Sequence, residues 1–150
     1  MECRFTLVPS VYFTEEKARR MLEEVVHLDE DEPLSFLEIP PHDAVLVYAG
    51  SERPRVYDML LSLCKIRDYN KIIMDFTDGV LYLTVAQGDQ LRVCNAFAAE
   101  DFVTAEYYLF SALKSLQINP EISTVYSMEA LSQQQCISLC SYFKNAETLQ

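Results

Sequence analysis

Between Lys71 and Phe97 the chain carries three strand-type runs in succession, joined by two short turns. Lys71 to Phe76 (KIIMDF) is followed by Asp78-Gly79, a pair suited to a two-residue hairpin because both central positions of a type I′ turn need positive φ. Val80 to Ala86 (VLYLTVA) leads to Gln87-Gly88-Asp89, a second turn, and Gln90 to Phe97 completes the meander. Strands joined this tightly pair antiparallel. An all-helical fold is excluded.

Glu100 and Asp101 then open a long helix, whose inward stripe is Phe102, Ala105, Tyr108, Leu109, Ala112, Leu113 and Leu116. Ile118-Asn119-Pro120 ends it. Ser123 to Tyr126 reads as a short strand. Ser127 is placed to cap a last helix running to about Phe143, with Leu131, Ile137, Cys140 and Phe143 inward. The order over 71–143 is therefore β-β-β-α-β-α, that of the ribonuclease H-like fold.

Residues 1–67 read β-α-β-α. Arg4 to Val8 alternates as a strand, and Thr14 caps a helix whose apolar positions are Ala18, Met21, Leu22, Val25 and Val26. Leu28 to Pro41 holds an acidic cluster, Asp29 to Glu32, and three prolines, which predicts loop. Ala44 to Ala49 (AVLVYA) is a buried strand, and Pro54 starts a helix with Val56, Tyr57, Leu60, Leu61 and Cys64 on one face. This is the later unit without its first hairpin. The polar break Arg67–Asn70 puts the boundary between lobes 1–67 and 68–150. The expected class is α/β, duplicated, with a truncated first unit.

Several short stretches carry a family likeness: FTLVPSVYFTEEKARRML (5–22), Asn95-Ala-Phe97, Asp101-Phe102, Tyr107-Tyr108-Leu109 and Ile118-Asn119-Pro120. On these the chain resembles domain of unknown function 3822, an uncharacterised bacterial family, and the resemblance implies an actin-like ATPase fold. That family is longer and supplies an N-terminal hairpin to the first unit. Either the hairpin is absent here or the chain starts late. If it is absent, the first lobe has an open strand edge that invites a second copy, hence a dimer.

Actin-like ATPases place an acidic residue at the end of each lobe's first strand and add glycine-rich turns for phosphate. Only Asp75, with the Asp78-Gly79 turn behind it, matches that pattern. Hairpin chemistry is the plainer reading of Asp75 and Asp78, ahead of metal or phosphate work. The chain has three glycines, Gly50, Gly79 and Gly88, and no G-x-G-x-x-G or P-loop. His27 and His42 are the only histidines, and nothing in sequence puts either beside a nucleophile. The five cysteines, Cys3, Cys64, Cys94, Cys136 and Cys140, form no C-x-x-C, and Cys136 and Cys140 are expected to pack as thiols on one helical face. No metal site is expected.

The acid excess is 23 − 12 = 11 negative charges, with pI near 4.5. It argues against nucleic acid and anionic membranes as partners. No signal peptide or membrane-length apolar run occurs, so a cytoplasmic location is expected. Tyr107, Tyr108 and Phe110 adjoin on one helix and cannot all face one core, which makes Tyr107 and Tyr108 interface candidates. The leading expectation is a noncatalytic interaction or scaffold protein that binds a protein partner or itself and needs no cofactor. The alternatives are an ATP/Mg-binding actin-like ATPase using Asp75, Asp78 and Gly79, and an acidic regulatory module for a basic partner.

Overall fold

The structure, a computed structural model, describes residues 4–149; Cys3 lies outside the described residues. The chain forms two compact units, Met1–Leu61 and Ser62–Gln150.

The first unit contains β1 (Phe5–Pro9), α1 (Glu15–Glu23), β2 (Leu34–Ile39), β3 (Ala44–Ala49) and the start of α2 (Arg55–Leu63). The expected order β-α-β-α lacks one strand, since β2 occupies the stretch read as loop. Both β1 and β2 pair antiparallel with β3, in the order β1-β3-β2. β1 and β2 are thus parallel neighbours once removed, linked through α1, with β3 slotted between them. This differs from the second half of a ribonuclease H-like unit. Pro33 and Pro40 bracket β2, and prolines are tolerated at the ends of an edge strand. A single turn of 3-10 helix, Pro40–His42, and Asp43 at φ 50° close the β2–β3 hairpin.

Thr14 caps α1 as expected, its side chain accepting from the Lys17 amide. Ala18 and Leu22 face Val8, Val45 and Val47 in a small core. The helix stops at Glu23, and Val25 points to solvent. The acidic stretch that follows is held by two arginines. Arg19 donates to the carbonyls of Asp29, Glu30 and Glu32, and Arg4 donates to the Glu32 carboxylate at 2.5 Å. The Arg4 guanidinium and the Asp29 amide together hold the Glu32 carboxyl well below its usual range, at about 2. On α2 the buried side chains are Val56, Met59, Leu60 and Leu63, while Cys64 is exposed.

The second unit contains β4 (Asn70–Thr77), β5 (Val80–Gln87), β6 (Gln90–Ala98), α3 (Phe102–Ser115), β7 (Thr124–Ser127), α4 (Gln133–Cys140) and β8 (Asn145–Thr148). The meander is antiparallel in the register the turns dictate, with Thr77 opposite Val80 and Gln87 opposite Gln90. Asp78 (φ 51°) and Gly79 (φ 74°) make the turn of two positive-φ residues that the Asp-Gly pair predicts. β7 and β8 then add in parallel beyond β4, giving the order β6-β5-β4-β7-β8. The closing strand β8 completes this ribonuclease H-like sheet. Opposite the Val85/Ala86 step the register slips, so that Val85 meets Val93, Ala86 meets Leu91, and Arg92 is left over as a bulge.

Asp101 caps α3, its carboxylate accepting from the Thr104 amide at 2.8 Å. Ala105, Leu109 and Leu113 pack on Ile72, Met74, Leu81, Leu83 and Val85 of the sheet, with Leu139 and Phe143 closing the core. The final helix starts later than Ser127. Its cap is Ser132, in a reciprocal capping box with Gln135. Leu139 is the α4 residue that packs into the sheet's core, and Phe143 is buried as expected, while Ile137 is 62% exposed and Cys140 lies at the surface. Cys136 and Cys140 therefore do not form a buried thiol pair.

Candidate functional site

Alternate residues of β4 and β5 face opposite ways. Ile72, Met74, Leu81 and Leu83 face α3, which puts Ile73, Asp75, Tyr82 and Thr84 on the other face. Asp75 sits opposite Tyr82 and is only 1% exposed. The Thr84 hydroxyl, opposite Ile73, is buried with no hydrogen-bond partner among the described residues. Asp78 and Gly79 lie in the solvent-exposed turn. Three strand residues span about 10 Å, so the Asp75 carboxylate and the turn do not meet in one cradle. The Gly79 carbonyl accepts from the Ala99 amide at 2.9 Å, which ties the turn to the start of α3.

The two histidines stay apart in role. His42 Nε2 pairs with the Leu60 carbonyl at 2.8 Å, and His27 lies 3.6 Å from Asp29 at the surface. Among the described residues, no group of three or more His, Cys, Asp or Glu side chains could hold a metal. Burial pushes the Cys94 thiol up to about 12, so it is protonated at neutral pH. No helix of the described residues is long and apolar enough to cross a membrane.

Tyr107 and Tyr108 part company. Tyr108 is half-buried and stacks on Phe97 of β6, with centroids 5.0 Å apart and planes 10° from parallel. Tyr107 is 66% exposed and touches Tyr108 edge-on. It forms one wall of a feature that sequence reasoning missed. α3, the loop after it and α4 enclose an open groove of about 850 Å³. Val103, Tyr107, Phe110, Ile118 and Tyr142 line its apolar part, and Glu106, Lys114 and Ser138 are among its polar groups. Val103, Tyr107 and Phe110 recur at i, i+4 and i+7, a second apolar row beside the core stripe of α3. That second row was the signal available in the sequence. Phe110 is anchored against Tyr142 and Phe143, with centroids 4.9 and 5.5 Å away. Glu106 sits in this groove nearly buried, and its Oε2 accepts a hydrogen bond from the Ser138 hydroxyl at 2.7 Å.

Residues 55–145 match the family described as protein of unknown function (DUF3822). The fold is similar to that of a crystal structure from Bacteroides thetaiotaomicron VPI-5482, a protein with an actin-like ATPase fold and unknown function. The TM-score is 0.78 at 17% identity, and the match covers 97% of this chain and 65% of that one. The chain thus spans about two thirds of the length of that relative. No curated protein matches the chain.

Proposed function

The chain belongs to the DUF3822 family of proteins of unknown function, and from that premise we propose that it is a noncatalytic interaction protein on an actin-like ATPase fold. The observation that carries this reading is the apolar groove between α3 and α4, whose outer walls Val103, Tyr107 and Tyr142 are 75%, 66% and 56% exposed. Contiguous exposed apolar surface of this kind is characteristic of protein contact sites, and tyrosine is a common anchor there. The glycine pattern supports the same reading. Gly79 and Gly88 serve hairpins and Gly50 follows β3, so each has a turn to explain it without phosphate.

A photo-crosslinking residue placed at Tyr107 tests the proposal in the native cell. Tyr69, 68% exposed and outside the groove, is the control position. A protein captured from position 107 and not from 69 is the expected result. Its absence, or equal capture from both, overturns the reading.

A second reading, nucleotide binding, is favoured by one observation: Asp75 and the Thr84 hydroxyl are both buried on the sheet face away from α3. Melting with ATP and magnesium separates the two. Ligand at 100 times its dissociation constant adds about 2.7 kcal/mol, a shift of several degrees at this size. The interaction reading expects no shift at millimolar ATP. A saturating, magnesium-dependent shift that Asp75→Asn removes would establish the nucleotide reading instead.

A further inference from the structure

We infer that the α3–α4 groove receives an arginine side chain presented on an apolar segment of a partner protein, with Glu106 as the receiving carboxylate. The inference rests on the interaction reading above and names the chemistry of its partner. Its starting point is Glu106, 8% exposed on the groove wall with one hydrogen bond, from Ser138. An ionised carboxylate has room for about four acceptor contacts, and a buried one is costly until they are filled. A guanidinium fills them two at a time in a planar fork. Its flat face also stacks on aromatic rings, and here Tyr107, Phe110 and Tyr142 line the same groove. The aliphatic stem of the arginine would run along Val103, one turn before Glu106 on α3 and part of the same groove wall.

The groove also contains a cation. Lys114 lies eight residues along α3 from Glu106, about 12 Å between backbone positions at 1.5 Å per residue, and it is exposed to water. A solvated charge at that distance is screened, whereas a buried one acts at short range in a weaker dielectric. Glu106 therefore sets the local preference. The long-range field agrees, since the chain carries a net charge of −11. Beside the groove lies Ile137 of α4, 62% exposed and next in sequence to the groove-lining Ser138. A folded segment covers that surface and a small organic cation does not, so the occupant is a protein.

The test uses a blocked helical peptide with leucines along one face and a single central arginine, and the same peptide with citrulline, which keeps the shape and loses the charge. Binding is followed by fluorescence anisotropy against the whole chain. The expected result is at least tenfold tighter binding of the arginine peptide, with the preference gone in Glu106→Gln, which keeps the contact to Ser138. Tyr107→Ser should weaken both peptides. Equal binding of the two peptides, a preference that survives Glu106→Gln, or no binding at millimolar peptide overturns the inference. So does sedimentation showing that a second copy of the chain fills the groove. Capture from position 107 alongside any of these results leaves the interaction reading standing and removes only the arginine.

Discussion

The two adjoining tyrosines of α3 should differ sharply when truncated. A fully buried tyrosine removes about 150–250 Å² from water. Tyr108 is half-buried, so about 100 Å² is at stake, or about 2.5 kcal/mol at 25 cal/mol per Å². Its stack on Phe97, at 5.0 Å and 10°, adds about 0.5–1.5 kcal/mol. Tyr108→Ala should therefore cost about 3–4 kcal/mol. At about 2–4 °C per kcal/mol for a chain of this size, Tm falls by about 6–16 °C. Tyr107→Ala should cost about 0.5 kcal/mol, because its ring is 66% exposed. Urea denaturation of both variants measures the difference. A cycle of Phe97→Leu and Tyr108→Leu isolates the stack, with an expected coupling of about 0.5–1.5 kcal/mol. A Tyr108→Ala variant as stable as the parent, or a Tyr107→Ala variant equally damaged, would refute the division of the pair into one packed ring and one presented ring.

Glu32 has its carboxyl lowered from 4.5 to about 2 by Arg4 and the Asp29 amide. The folded value lies below the unfolded one, so its contribution is present above pH 4.5 and is lost as pH falls through about 2. The Tm difference between the parent and Glu32→Gln should shrink to nothing across that window, and a constant difference would contradict the assignment. Ser132→Ala removes half of the α4 capping box and should cost about 1 kcal/mol in chemical denaturation. An aromatic disulfide reagent should label Cys64 and Cys140, both exposed, well before the half-buried Cys94 with its raised thiol pKa.

The second unit was largely legible because its signals are local. Asp78-Gly79 fixes a hairpin by backbone conformation alone, and Asp101 marks the start of α3 by satisfying a free amide. The first unit was less legible because its pairing is decided at long range. β2 hides between Pro33 and Pro40 behind an acidic stretch, and only its ladder with β3 makes it a strand. The strand β8, with one half-buried residue in four, carries almost no hydrophobic signal and forms by adding to β7. The α4 sequence offers Ile137, Leu139 and Cys140 as apolar candidates, and only packing on the sheet selects Leu139. The Ser127 hydroxyl, expected to cap this helix, donates instead to the Glu129 carbonyl, and the capping box five residues later sets the helix. The groove could not be read from one helix, since its second wall comes from residues near 140. What α3 alone could show was an apolar row with no place in its own core.

The bulge in β6 has a consequence for what this sheet can join. At nine residues β6 is the longest strand of its sheet and stands at the edge. A straight edge of that length would template another strand, and then another. The slip at Arg92 breaks the repeat into two short pieces that are out of phase by one residue. A newcomer that aligns its side chains with the segment 93–98 presents the opposite face to the segment 90–91. It would also have to lie beside an exposed guanidinium. Growth along this edge is opposed by the change of register as much as by charge.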